Sequence, residues 1–393
     1  MANQTYTSNS SPAQKNRVML IAVSLVFAST VIVVFIINHN NPINYSLHNN
    51  SGITYEKASV TAVLEENLTA DPDLPGQVLG MQKIRIKFKN GQEKGRETEL
   101  EHSLFTTHSV LARKGQSLVI RAERLEDIDP YYSVYSYDRT PGWILAIIIF
   151  TLFMLAVGRI KGLRSVLGLA ASLFFIVALL LPSVYHGHSP VLMSMLTGII
   201  IATFSLILLN GLSRRTFTAL AATGAGILLS GLFFGIVSSA MSLTGYDITE
   251  AEELIMVSRQ TGLGIGQVLF AGIIIASLGA VMDTTVSLTA AVYEIREKKP
   301  EIAAGELFIS GMNIGKDIIG ANCMTLILAF AGSSFATLLS LTAYGTQFDQ
   351  LMSSNYIAVE IAYGVTGSLA VVASVPVTAG LCILKSVNKP GRA

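Results

Sequence analysis

Charge is what this chain has least of. Asp, Glu, Lys and Arg make up 13% of its 393 residues, against about 25% in an average soluble domain. Their signs cancel to a net +1. A basic nucleic-acid binder and a charge-rich disordered chain are thereby excluded, so no nucleic acid is expected as a partner. Cysteine is scarce too. Cys323 and Cys382 lie in apolar runs, with no CxxC pair, zinc spacing or disulfide framework. They read as small hydrophobes. No HExxH, GxSxG or phosphate-loop signature occurs, so neither an enzyme nor a cofactor or metal is expected. What the chain has in abundance is apolar: 51% of its residues, with a mean hydropathy of +0.54. That excludes an ordinary soluble globule and leaves a polytopic membrane protein.

The first apolar run, Val18 to Ile37, is longer than a signal-peptide core of about 7–15 residues. It reads as an uncleaved anchor over 18–38, after a tail at 1–17, and is long enough to cross about 30 Å of hydrocarbon. Residues 39–142 are polar, with 12 Lys/Arg and 14 Asp/Glu, and form a domain. From Trp143 the chain is apolar almost to its end. Further spans are predicted at 143–158, 166–183, 190–209, 216–237, 264–292, 314–338 and 357–384, making about eight transmembrane helices in an α-helical bundle. Cations fix the orientation. Lys15 and Arg17 precede the first span. Arg159, Lys161 and Arg164 lie between the second and third, Arg214 and Arg215 between the fourth and fifth. Arg296, Lys298 and Lys299 lie between the sixth and seventh, and Lys385, Lys389 and Arg392 follow the last. The alternate short loops hold Arg259 alone. Both termini are therefore expected in the cytoplasm and residues 39–142 outside it.

The outside domain reads as strands. Lys83 to Lys89 alternates polar with apolar, and Asn90-Gly91 is a favoured two-residue hairpin turn. Ala58–Glu65, Glu97–Glu101, Ser117–Leu125 and Tyr131–Tyr137 are the other strand candidates. Five short strands suggest a small closed β-barrel, OB-like or SH3-like. No cationic groove is implied. The cluster Tyr131, Tyr132, Tyr135 and Tyr137 reads as an interfacial aromatic belt or a ligand platform.

Ionisable groups inside a membrane are expensive and usually functional. Asp283 is the one charge between residue 263 and Glu294. At 100° per residue, Gly272, Ala276, Gly279, Ala280, Asp283, Ser287, Ala290 and Glu294 share one helix face. Small residues allow close helix packing, so Asp283 is expected to point into the bundle. Asn313, Lys316, Asp317 and Gly320 share a face of the next span. Asp283 with Lys316 would form a buried ion pair, either structural or coupled to ion movement, and Asp317 would compete for the same cation. The last span carries Glu360, Gly364, Gly367, Ser374 and Thr378. Glu360 is either part of this polar set or an interfacial residue in contact with water. Pro376 is expected to kink that helix. The run Gly262 to Gly266 reads as a broken or re-entrant helix start.

Met282-Asp283-Thr284-Thr285 through Tyr293-Glu294-Ile295-Arg296-Glu297 is a distinctive segment. So is Ser310-Gly311-Met312-Asn313-Ile314-Gly315-Lys316-Asp317-Ile318-Ile319-Gly320, followed by Thr325 to Ser334. Together they resemble the YibE/F-like family over residues 143–386, and the anchor with its small domain resembles the longer, YibE-type members. The resemblance implies a bacterial inner membrane and a shorter YibF-type partner or a homo-oligomer. The Asp-Thr pair ahead of Ile-Arg-Glu is also similar to the SecD/SecF branch of the resistance-nodulation-division permeases. Thirteen residues separate Asp283 from Arg296, and two additional spans depart from that pattern, so a proton-coupling role is an analogy. The leading expectation is a permease-like or export-assisting protein in the lipid bilayer. The alternative is a scaffold that docks partners through its β domain.

Overall fold

Two chemically different stretches of sequence give two units in the computed structural model: Tyr45–Met154, and Met1–Asn44 with Leu155–Ala393. The structure describes residues 27–36, 52–107, 110–124, 129–247 and 251–387. The tails and most of the anchor run 18–38 lie outside the described residues.

The polar unit is one antiparallel sheet of β1 (Ile53–Ala70), β2 (Val78–Phe88), β3 (Glu97–Leu104), β4 (Ser117–Glu123) and β5 (Tyr131–Tyr137), in the order β3-β2-β1-β4-β5. The alternation in β2 works as its sequence demands. Ile84, Ile86 and Phe88 point inward and meet Ala58, Val60, Leu118, Ile120 and Val134 in one core. Irregular register at Val60/Ala62, Val63/Glu65 and Val119/Ile120 adds local twist. The sheet curls into a half-barrel and stops there. The closed OB- or SH3-like barrel expected from sequence is thus corrected: β3 and β5 are edges of an open sheet. The two-residue hairpin at Asn90-Gly91 is also corrected. Residues 89–96 form a longer connection, because the Asn90 side chain accepts the Lys57 backbone N–H at 2.6 Å. Gly91 is still required there. Its φ is +81°, and a Cβ would strike the Glu56 side chain.

Among its described residues the apolar unit is built of helices and their connections. It contains α1 (Phe27–Ile36), α2 (Thr140–Phe175) from Leu155 onward, a π-helical turn (Ile176–Leu180), α3 (Leu181–Tyr185), α4 (Pro190–Asn210) and α5 (Arg214–Ala240), the first part of α2 belonging to the unit of the sheet. Then follow α6 (Ala251–Thr261), α7 (Ile265–Lys298), α8 (Ala304–Ser333), α9 (Phe335–Ala343), α10 (Phe348–Met352) and α11 (Asn355–Val387). Ser189 and Ser213 accept backbone N–H groups at the starts of α4 and α5, the usual role of serine at a helix N-terminus.

Among the described residues, six helices are long and apolar enough to cross a membrane, rather than the eight expected. Two facts account for the difference. The described part of the first run is the short helix α1. The second and third expected spans form one helical run, Thr140–Tyr185, of 46 residues. The sequence predicts a connection at Arg159, Lys161 and Arg164, but Arg and Lys are good helix formers and the helical run continues across them. The helix breaks at a single residue, Arg159, at φ 48° and ψ −127°.

The core of this unit joins Phe175, Ile201, Phe204, Ile227, Phe234 and Leu269, among others, from α2, α4, α5 and α7. The α1 ring of Phe27 lies against Phe174, Phe175 and Phe204. A second cluster joins Leu288 and Val292 of α7, Leu307 of α8, and Val375 and Cys382 of α11. Glycine sets the spacing where helices touch most closely. A Cβ on Gly226 would reach within 2.4 Å of Val281, and one on Gly315 within 2.2 Å of Val375. The helix break expected around Gly262 to Gly266 is present between α6 and α7. α11 continues as one helix through Pro376, flanked by hydroxyl bonds from Ser374 to Val371 O and from Thr378 to Ser374 O.

Candidate functional site

α7 and α8 carry the charged and polar residues singled out in the sequence at 283–317. α7 has two coherent faces. One carries Ile273, Ile274, Leu278, Val281, Leu288 and Val292 together with Ser277, Thr284, Thr285 and Thr289, and all of these are buried. The other carries Gly279, Asp283, Ser287, Ala290 and Glu294, and all of these are exposed. Burying branched aliphatic side chains gains more than burying glycine and alanine, about 1.5–3 kcal/mol per large side chain. The aliphatic face therefore takes the core. The expectation that Asp283 points into the bundle is corrected: its carboxylate is on the uncovered face.

α8 repeats the arrangement. Leu307, Gly311 and Gly315 are its buried residues, whereas Asn313, Lys316 and Asp317 are exposed. Two contacts set the register of the antiparallel pair. The Cβ position of Gly311 lies 3.1 Å from Val292, and Asn322 Nδ2 donates to Thr284 Oγ1 at 2.7 Å. Counting along both helices from those contacts puts Lys316 and Asp317 level with about Leu288, and Asp283 level with about Cys323. Lys316 is thus more than one helical turn removed from Asp283 along the helix axis. Its ammonium donates to Asn313 Oδ1 at 3.4 Å instead. The expected Asp283–Lys316 ion pair is not formed. Glu294 pairs with Lys298 at 2.8 Å, and Arg215 of α5 reaches Glu297. This end of α7 is a charged, exposed terminus.

Sequence reasoning missed a seam of hydroxyls through the interior. Thr218 meets Tyr293 OH at 3.0 Å, Thr223 meets Thr285 at 2.7 Å, and Ser230 meets Ser277 at 3.0 Å. These bonds fasten α5 to α7. Thr and Ser score as nearly neutral in an apolar window, so only their spacing on the aliphatic face could have disclosed them. From the last span, Ser374 and Thr378 are fully buried, whereas Glu360 is half-buried and lines a cavity with Gly364. Glu360 Oε2 is enclosed without a hydrogen-bond partner.

The arrangement offers chemistry of one kind: a row of carboxylate, ammonium, amide and hydroxyl groups along two long apolar helices. Residues 146–386, more than half of the chain, match the YibE/F-like protein family. No curated protein and no solved structure matches the chain.

Proposed function

The chain belongs to the YibE/F-like family, and from that premise we propose that it is a permease-like or export-assisting membrane protein with its ion-coupling groups on the α7/α8 face. One observation carries the reading: Asp283, Ser287, Asn313, Lys316 and Asp317 stand uncovered on helices of span length. A charged side chain at the centre of a bilayer costs at least about 2.5–3.5 kcal/mol. Such groups are therefore expected to face a water-filled path or a coupled ion in the bilayer, not acyl chains. The proposal places the protein in a bacterial inner membrane with the half-barrel outside, since the cation-rich segments fall on one side.

The test is ion flux. Wild-type protein in proteoliposomes is expected to dissipate an imposed proton gradient faster than empty liposomes. Asp283→Asn keeps the side-chain shape and removes the charge, so it should reconstitute normally and lose most of that flux. Equal flux from wild type, Asp283→Asn and empty liposomes would reject the reading.

The open edges of the half-barrel favour a second reading, a scaffold that accepts an extended peptide from a partner by strand addition. Under that reading Asp283→Asn is silent in cells and loss of residues 53–137 is not.

A further inference from the structure

The cavity at Glu360 makes a separate case. It has a volume of about 260 Å³ and lies where the end of α8 and the start of α9 meet the first turns of α11. Its walls are apolar: Ile327 and Phe330 from α8, Ile357 and Ile361 from α11. Two polar side chains interrupt them. Ser334 sits at the junction of α8 and α9, is 2% exposed, and has a buried hydroxyl with no hydrogen-bond partner. Glu360 Oε2 is buried and equally unpartnered. Gly364 completes the wall and leaves room where a side chain would project. Its Cβ position is 3.8 Å from Ile327 and 3.9 Å from Phe330.

Buried polar atoms in native proteins nearly always have partners, so two orphans on side chains that line one cavity call for an explanation. An apolar pocket with a few convergent polar groups has the form of a small-molecule site. The walls set the body of the guest and the orphans set its head. A carboxylate repels an anionic head, and a purely apolar guest would leave both oxygens unpaired. A primary ammonium has three N–H donors. Those donors suit the Glu360 carboxylate and the Ser334 hydroxyl, the two polar side chains that line the cavity. Size follows by comparison: an apolar cavity of about 150 Å³ holds a benzene ring. The cavity here admits a ring of that kind with a short tail.

We propose that the Glu360–Ser334 cavity binds a small lipophilic amine, with its ammonium between the two oxygens and its apolar body against Ile327, Phe330, Ile357 and Ile361. This does not rest on the transport reading, which depends on Asp283 and Lys316.

The test is equilibrium binding to the purified full-length protein in nanodiscs, with 2-phenylethylamine, 2-phenylethanol and 3-phenylpropanoate as probes. The amine should bind saturably and at least tenfold more tightly than the alcohol, and the acid should not bind. Glu360→Gln removes the charge without breaking an existing bond. It should weaken the amine at least tenfold and leave the alcohol unchanged. Gly364→Val fills part of the cavity without touching the carboxylate, and should weaken amine and alcohol alike. Equal affinity for amine and alcohol, or amine binding indifferent to both substitutions, would overturn the proposal and assign the space to an acyl chain. So would the absence of saturable amine binding.

Discussion

Single side chains decide much of this molecule through the partners they hold. Gln82 is fully buried in β2. Its amide Nε2 donates to Ala112 O at 3.2 Å and to Glu66 Oε1 at 2.7 Å, and its Oε1 accepts the Ala112 N–H at 2.9 Å. Gln82→Leu keeps the volume and strands both backbone groups of Ala112. Each orphaned group costs about 1–3 kcal/mol, so the thermal unfolding of the half-barrel should shift down clearly. An unshifted transition would mean that water replaces the amide. Gly315 is the equivalent in the membrane unit. Because Val375 already occupies the space of its Cβ, Gly315→Val should separate α8 from α11. Overpacking of this kind costs about 1–3 kcal/mol, read as a lower unfolding temperature in detergent. A paired change of Val375→Ala should return part of the loss.

At the scale of elements, the break in α2 is the clearest case of local conflict. Arg159 is one of two non-glycine residues with positive φ among those described. A side chain held in such a sparsely populated region costs about 1–3 kcal/mol. Glycine adopts it freely. Arg159→Gly should therefore raise the unfolding temperature slightly, and Arg159→Val should lower it. The opposite order would show that the charge of Arg159 matters more than its backbone. The same comparison explains the span count. A helix of 46 residues would extend about 70 Å if straight, more than twice the hydrocarbon thickness. The break at Arg159 divides the run into 140–158 and 160–185, close to the second and third spans drawn from hydropathy. The hydrophobic windows were legible in sequence. The absence of a true loop between them was not, because Gly158 and Gly162 stand among the cations Arg159, Lys161 and Arg164 and such a cluster reads as a connection.

At the scale of the whole molecule, orientation is the property that organises everything else. The inside-positive arrangement predicts that a cysteine introduced at Lys94 in the half-barrel is labelled by an impermeant maleimide in intact cells. One introduced at Lys298 should be protected until the membrane is opened. Lys94 is exposed in the connection between β2 and β3. It suits this test better than Gly91, where any side chain would collide with Glu56. The reverse labelling pattern would invert the topology.

Alternation and hydropathy alone determined that this chain is a small sheet attached to a long apolar helical region. They also placed Ile84, Ile86 and Phe88 on one apolar face and gave the strand Tyr131–Tyr137 its bounds. These follow from period-two and period-3.6 patterns, which act over a few residues and need no distant partner. Only the tertiary structure decided which face of α7 is covered, since both faces carry a coherent stripe and the choice depends on what α4, α5 and α11 bring to meet it. It moved Asp283 outward and put the hydroxyls of Ser277 and Thr285 inside. It left the sheet open at β3 and β5, because closure depends on accumulated twist and not on any one strand. It also brought Ser334 to Glu360 across 26 residues of chain, a meeting set by how α8, α9 and α11 pack and by nothing within either residue's own neighbourhood.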